Sequence, residues 1–464
     1  MKKNTLLLFV LIISICYGCS KKEKKAKSPR SSQEVKAKKK TVIPTRRDMT
    51  SQSKNIVKLL LEKKYDDIYK NFDDSIKGML SPAKLARGWE GLEKSIGEFK
   101  KIKGTSKEDR GKFRKYTVHA VFAKTELDFK IAWNMDEKIT GFFMSPVSGK
   151  TISFKDASYV KGAAFKEKSL KINPGTKWEL GGYLTATGVK NVPVVILVHG
   201  SGPHDADETI GPNKVFRDLS YGLSSVGVDV LRYVKRTKAH PGECSKIKDI
   251  NLMHETVDDA VSAFQLIKKM PEYRNSKVFI AGHSLGAFSI PLIASKMDAD
   301  GYILLAGNSR PLEDLIIQQI KYISGFKKSL SPEEKKNIEK IEQQVSLVKS
   351  PKLNSRTPSE DLPLGISATY WIFLNKYKPV ELMKKVLKPV LILQGKRDYQ
   401  VTYQEDFKLW KKELKGMKNI KFMAFDKLNH LFMPGEGKPS PEEYMKPSHV
   451  SPLVIGVVAK FVKN

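Results

Sequence analysis

Apolar positions along the chain fall into three kinds of pattern. Leu6 to Ile15 is an apolar run broken only by Ser14. After residue 50, apolar residues recur every three or four positions in Ile56-Val57-Lys58-Leu59-Leu60-Leu61 and Tyr65-Asp66-Asp67-Ile68-Tyr69, a spacing that predicts helices. Leu80-Ser81-Pro82-Ala83 predicts a helix start, with Ser81 as cap and Pro82 in the first turn, where a missing N–H costs nothing. The period then shortens to two in Tyr116 to Ala123, Leu127 to Trp133 and Ile139 to Phe143, which predicts strands. Helices followed by an antiparallel meander make residues 50–150 a small α+β unit, cystatin-like or cone-shaped.

From about Ser153 the pattern changes again. Trp178 to Thr185 alternates and turns at Gly181-Gly182, like an opening hairpin. Val194-Val195-Ile196-Leu197-Val198 is a continuous run, the mark of a strand buried on both faces of a parallel sheet. Val228 to Tyr233, Val278 to Ala281, Gly301 to Leu305, Pro389 to Leu393 and Lys421 to Phe425 repeat it, with amphipathic stretches such as Leu252 to Met270 between them. Strands alternating with helices place residues 155–464 in the α/β class, as a mostly parallel sheet with helices on both faces. A stretch of about 311–388 interrupts this alternation. It holds a charged helical pattern, Lys327 to Val348, and an aromatic block, Tyr370-Trp371-Ile372-Phe373-Leu374, which predict a helical cap insertion.

Charge changes the reading of the first fifty residues. Lys2 and Lys3 precede the apolar run, and a basic start followed by about ten apolar residues is a secretory signal too short to span a bilayer stably. Its end, Tyr17-Gly18-Cys19, resembles the lipobox of bacterial lipoproteins, although Cys16 stands where leucine is usual. The resemblance implies removal of residues 1–18, lipidation of Cys19 and an exported, membrane-anchored protein of the cell envelope. The competing reading is an ordinary cleaved signal with an incidental cysteine. Residues 19–49 then form a basic tether: between 20 and 47, twelve Lys and Arg face two Glu, with no aromatic residue. Such a run stays extended and solvated, and beside a lipid anchor it can touch anionic headgroups.

The whole 464-residue chain has 83 Lys and Arg against 50 Asp and Glu, a net charge of +33. That balance raises a nucleic-acid partner, but an exported chain seldom meets one, and the tether carries a large share of the excess. No nucleic-acid partner is therefore expected. Three cysteines cannot build a disulfide framework for a chain of this length. With Cys16 removed and Cys19 acylated, Cys244 is the sole thiol and reads as a packing or surface residue.

The chemistry concentrates in Gly282-His283-Ser284-Leu285-Gly286, between the strand ending at Ala281 and a helical stretch from Ala287 to Lys296. This is a G-x-S-x-G nucleophile elbow, a motif whose partners follow along the chain in the order Asp, then His. The turn needs glycine on both sides because strand and helix pass too closely for a Cβ. A serine hydroxyl is a weak nucleophile and needs a base and an orienter. Asp398, in Gly395-Lys396-Arg397-Asp398, and His430, in Leu428-Asn429-His430-Leu431, follow in that order, each just beyond a strand end. Alone, either would read as a turn aspartate or a surface histidine. Together with Ser284 they form a candidate catalytic triad. The oxyanion hole would use backbone N–H groups of Leu285 and of Ser201 in His199-Gly200-Ser201-Gly202, with His199 bracing that loop.

Residues from about 165 to 464 resemble the α/β-hydrolase superfamily. Within it they are similar to bacterial esterases and acyl hydrolases carrying His-Gly-Ser-Gly-Pro, here His199 to Pro203, Asp-Glu-Thr-Ile-Gly-Pro-Asn, here Asp207 to Asn213, and Lys235-Arg236-Thr237. The small unit, through Leu80-Ser81-Pro82, Gly88-Trp89 and Gly97-Glu98-Phe99, resembles a domain of unknown function that precedes certain bacterial serine hydrolases. No catalytic constellation is expected there, and His119 reads as a packed or surface residue. The resemblance implies Ser284, Asp398 and His430 as triad, a small-molecule ester or acyl substrate and no cofactor. The insertion would set acyl-group fit, or its aromatics would serve packing alone. His204, Asp205, Asp207 and Glu208 could hold a cation or, more simply, cap turns, and no metal is expected. An amidase, peptidase or thioesterase on the same triad stays open, as does a non-catalytic binding lipoprotein.

Overall fold

The computed structural model describes residues 47–77, 80–110, 113–146, 154–327, 329–330 and 332–464. The signal segment, Cys19 and the basic tether up to residue 46 lie outside the described residues. Two compact units divide the chain, one reaching to Phe154 and one running from Lys155 to Asn464.

The first unit begins with α1 (Thr50–Leu61), α2 (Tyr65–Lys70), α3 (Asp74–Lys77) and α4 (Pro82–Ile96). Ile56, Val57 and Leu60 give α1 one buried face, and α4 starts at the proline, whose fixed φ suits a first turn. A sheet follows: β1 (Phe99–Arg110), β2 (Phe113–Phe122), β3 (Glu126–Trp133) and β4 (Ile139–Pro146), antiparallel and paired in chain order. Every second residue of β3, from Leu127 to Trp133, is buried, the period expected of a strand with one face on a core. Trp89 of α4 and Phe129 of β3 are fully buried with ring centroids 6.0 Å apart. The pattern of apolar residues does not announce β1, which reads Phe-Lys-Lys-Ile-Lys-Gly-Thr-Ser-Lys-Glu-Asp-Arg. Among the described residues it pairs with β2 alone, and charge on an edge strand discourages foreign pairing.

In the second unit an eight-stranded sheet combines β5 (Lys166–Ile172), β6 (Leu180–Ala186), β7 (Val194–Val198), β10 (Asp229–Tyr233), β11 (Val278–His283), β12 (Gly301–Leu305), β13 (Val390–Gly395) and β14 (Ile420–Phe425). A two-strand hairpin, β8 (Thr209–Ile210) and β9 (Asn213–Lys214), stands apart. The order is β14-β13-β12-β11-β7-β10-β6-β5, parallel from β14 to β10, with β6 and β5 antiparallel at the edge. β5 went unsignalled because its Lys-Glu-Lys-Ser-Leu-Lys-Ile sequence is that of a solvated edge.

Alternate residues of the central strands feed two cores. Val195, Leu197, Ala281 and Leu393 meet α5 (Val215–Ser224) and the C-terminal α15 (Pro452–Lys463). Val194, Ile196, Ile280 and Ile392 meet α8 (Asp258–Lys269), α9 (Leu285–Ala294) and α14 (Lys408–Glu413). Two short helices, α6 (Arg236–Ala239) and α7 (Pro241–Cys244), follow β10. Cys244 is buried there, and burial pushes its thiol up to about 11, so it packs rather than reacts.

The insertion holds α10 (Leu312–Ser324), α11 (Pro332–Lys349), α12 (Ala368–Lys376) and α13 (Pro379–Met383). Tyr370 and Trp371 are buried with Ile316, Val348 and two residues of α9, Leu285 and Phe288. The aromatic block therefore serves packing against α9. The chain reverses its direction across the sheet at β7, passing first to β10 and then to β11 on its other side. The crevice beyond the carboxyl ends of β7 and β11 is where an open α/β sheet binds ligands.

Candidate active site

Ser284 sits between β11 and α9 with φ 53° and ψ −116°, a conformation L-residues avoid. Holding a side-chain residue there costs about 1–3 kcal/mol, which the surrounding packing must offset. The flanking glycines explain how the turn is possible. A Cβ on Gly282 would lie 2.3 Å from the Gly286 carbonyl, and one on Gly286 would lie 2.2 Å from the Val198 carbonyl oxygen. Ser284 N–H donates to the Leu305 carbonyl at 2.9 Å, tying the elbow to the end of β12. Leu285 opens α9, where the first N–H groups have no carbonyl within the helix to bond.

Asp398 and His430 meet from two different loops. A Cβ on Gly395 would lie 2.3 Å from the Leu428 carbonyl, so glycine lets the 428–430 segment close against the end of β13. His430 Nδ1–H then donates to Asp398 Oδ2 at 2.6 Å. Gln394 Nε2 donates to the same oxygen at 2.9 Å, and the N–H groups of Gln400 and Val401 donate to Oδ1 at 2.8 and 3.0 Å. Four donors converge on one buried carboxylate, and a His430 ring bonded to it through Nδ1 is left with Nε2 as its acceptor. Ser284 and His430 line one pocket of about 260 Å³, together with Ser201, Ile210, Tyr399, Leu431 and Tyr444. The structure thus brings Ser284, His430 and Ser201 to one cavity, with Asp398 directly behind His430. Among the described residues the insertion adds no side chain to this lining, which comes from the loops after β7, β13 and β14 and from the β11–α9 turn.

The acidic cluster after the His199–Gly202 loop does not gather around a common point. Asp205 accepts from Thr209, and Asp207 pairs with Lys214 at 2.8 Å and Arg232 at 3.0 Å. Glu208 turns inward with φ 49° and is fully buried. It accepts the Gly200 N–H at 2.7 Å and lies 3.0 Å from His283 Nδ1, near in distance though not in hydrogen-bond alignment. Burial opposes its charge, but His283 and two further imidazoles, His204 and His199, outweigh that and hold it below the usual carboxylate range. His283 is itself raised, burial being outweighed by Glu208. His283 Nε2 in turn reaches the His430 carbonyl at 3.0 Å. His199, expected to brace the loop, is buried and bonds the Tyr233 carbonyl, and burial lowers it to about 4, so it is neutral at neutral pH. The sequence offers Glu208 as a cation ligand or, more simply, a turn cap, not as a buried brace of the loop. Its partners stand 8 and 75 residues away along the chain, and no local signal points to them.

In the small unit, Ser106 Oγ lies 3.2 Å from His119 Nε2, and His119 Nδ1–H donates to Asp128 at 2.6 Å. The same atom order recurs here on an open sheet face. Ser106 is exposed and lies in an extended strand, opposite Thr117 of β2, so it does not sit on an elbow.

Residues 53–142 match a family described as a protein of unknown function (DUF3887). Esterase EstD of Thermotoga maritima is 34% identical over 408 residues, 88% of this chain and 93% of that protein. Among solved structures, Est1E from Butyrivibrio proteoclasticus aligns at 18% identity and TM-score 0.41, covering 64% of this chain and 97% of that one. An acylaminoacyl peptidase from Pyrococcus horikoshii aligns at 12% identity and TM-score 0.44, covering 80% and 57%.

Proposed function

This chain belongs to the family of the Thermotoga esterase, the serine esterases of the α/β-hydrolase class, and from that premise we propose that Ser284, His430 and Asp398 hydrolyse carboxylic esters at the crevice between β7 and β11. The observation that carries this reading is the strained, glycine-flanked Ser284 in one pocket with a His430 whose Nδ1 is committed to Asp398.

The steps follow from that geometry. Ser284 Oγ attacks the acyl carbonyl carbon while its proton passes to His430 Nε2. Asp398 keeps Nδ1 protonated and stabilises the imidazolium that forms. The carbonyl oxygen gains negative charge and is met by the N–H groups of Ser201 and Leu285, donors typically worth about 3 kcal/mol each at the transition state. Collapse breaks the ester C–O bond, and the alkoxide leaves with the proton from His430. Water then gives a proton to His430 and attacks the acyl-enzyme, releasing the acid and restoring Ser284. No cofactor and no metal enters these steps.

The pocket favours short acyl groups. Its wall of Ile210, Leu431, Tyr399 and Tyr444 and its volume of about 260 Å³ suit a small apolar acyl or alcohol moiety. Lipidation at Cys19, after removal of residues 1–18, would hold the enzyme at a membrane of the cell envelope on its basic tether. The support for anchoring is the sequence around Cys19 and the charge that follows it. No helix among the described residues is long and apolar enough to cross a membrane.

Turnover of p-nitrophenyl butyrate tests the catalytic reading. Ser284→Ala should lower kcat by several orders of magnitude, since the nucleophile is removed outright. Unchanged turnover would remove Ser284 from the mechanism.

A further inference from the structure

Behind the oxyanion loop, a chain of buried polar groups runs from the insertion to the Gly200–Ser201 peptide. Tyr370 of α12 donates its hydroxyl proton to Glu255 Oε2 at 2.7 Å. Lys235, just after β10, donates to Glu255 Oε1 at 2.6 Å and to the Gly200 carbonyl oxygen at 2.8 Å. Tyr370, Glu255 and Lys235 are each at most 3% exposed. None of the three lines the substrate pocket.

The Gly200 carbonyl and the Ser201 N–H are two ends of one peptide unit, and in a trans peptide they point in opposite directions. A cation on the carbonyl end draws electron density from the N–H end and makes it a stronger donor, as charge-assisted hydrogen bonds in low dielectric do. It also fixes the peptide plane. Neighbouring bonds hold the rest of the loop: Gly200 N–H donates to Glu208, the Ser201 carbonyl bonds His204, and Lys235 N–H donates to the His204 carbonyl at 3.0 Å. An isolated buried ammonium would be costly, and Glu255, held by Tyr370, is the counter-charge that makes it tolerable.

We propose that Lys235 is a positioning residue that orients and polarises the Gly200–Ser201 peptide toward the oxyanion, and that the insertion acts on catalysis through Tyr370 and Glu255 from behind the loop. This rests on Ser201 N–H facing the oxyanion in the mechanism above. The insertion thus acts on the transition state without touching substrate.

Lys235→Met, Glu255→Gln and Tyr370→Phe in the whole chain test it, with kcat and KM on p-nitrophenyl butyrate, Tm, and Ki for an alkyl trifluoromethyl ketone. That ketone forms a hemiketal whose oxyanion occupies the hole, so its Ki reads the donor directly. Lys235→Met should lower kcat by about 30- to 100-fold, somewhat less than outright loss of a donor, and raise the ketone Ki in parallel with that loss while KM stays within about threefold of wild type. Tyr370→Phe, which removes one hydroxyl and keeps the packing, should lower kcat by about three- to tenfold with the same pattern. A fall in Tm with kcat and Ki unchanged would make the chain merely structural and overturn the proposal. If Lys235→Met does not fold, Tyr370→Phe and Glu255→Gln decide by the same criterion. A wild-type enzyme insensitive to the ketone, or an active Ser284→Ala, would instead overturn the mechanism on which the proposal stands.

Discussion

Replacing Asp398 by asparagine removes one charge and almost no volume. The carboxylate accepts from Gln394 Nε2, Gln400 N–H, Val401 N–H and His430 Nδ1–H. Asparagine offers one acceptor oxygen. If that oxygen keeps the two backbone N–H groups, the new amide N–H₂ faces Gln394 and His430. The imidazole must then present Nδ1 as an acceptor, and its proton moves to Nε2, the atom that should take the proton of Ser284. The base is present in the wrong tautomer. The loss expected of an orienting aspartate is on the order of 10⁴ in kcat, or about 5.5 kcal/mol at about 1.36 kcal/mol per tenfold. The pocket is untouched, so KM should stay within about threefold. A buried donor left facing a donor costs about 1–3 kcal/mol of stability, so Tm should fall while the variant still folds. Steady-state kinetics on p-nitrophenyl butyrate with a parallel melting curve measure both. A folded Asp398→Asn enzyme with kcat within tenfold of wild type would refute the orienting role and the tautomer argument together.

Other perturbations separate parts of the account. Gly286→Ala places a Cβ 2.2 Å from the Val198 carbonyl oxygen, so it should give little soluble protein, or a strongly lowered Tm with no activity. Glu208 and His283 shape stability against pH from opposite sides. Glu208, depressed in the fold, adds stability that is present above its ordinary value of 4.5 and lost as pH falls through its folded value. His283, raised in the fold, adds stability that is full below 6.5 and lost as pH rises through its folded value. Glu208→Gln should therefore flatten both flanks of the Tm–pH profile, and an unchanged profile would contradict the pair. The pocket of about 260 Å³ should make kcat/KM for p-nitrophenyl butyrate exceed that for the laurate ester by about tenfold or more. Cys19→Ser should move the protein from the membrane fraction to the soluble fraction and abolish palmitate incorporation; retention at the membrane would argue against lipidation there.

Much of the hydrolase unit was legible because buried parallel strands leave an unmistakable trace. Val194 to Val198 and Gly301 to Leu305 run between the residues read from their sequence, since both faces of each strand are covered and no polar residue interrupts them. The edge strands β1 and β5 were not legible, because a strand paired on one side and solvated on the other reads as charged coil. The elbow was readable because its demand is local: two glycines flank one serine within five residues. The network behind it was not. Glu208, Lys235 and Glu255 are surface-type residues by composition, and only the fold shows that they are buried, Glu208 on the Gly200 N–H, Lys235 on the Gly200 carbonyl, and Glu255 between Lys235 and Tyr370. The insertion shows the same limit. Its aromatic block announced an apolar contact, but only the packing of Tyr370 and Trp371 beside Leu285 and Phe288 shows that the contact is with α9.

The central claim is that Ser284 is the nucleophile. Wild-type protein treated with a fluorophosphonate, digested and sequenced by mass spectrometry should carry one adduct, on Ser284, with activity lost in proportion to labelling. Ser284→Ala should take up no label. An adduct on another serine, Ser106 included, or full labelling of Ser284→Ala, would contradict the account.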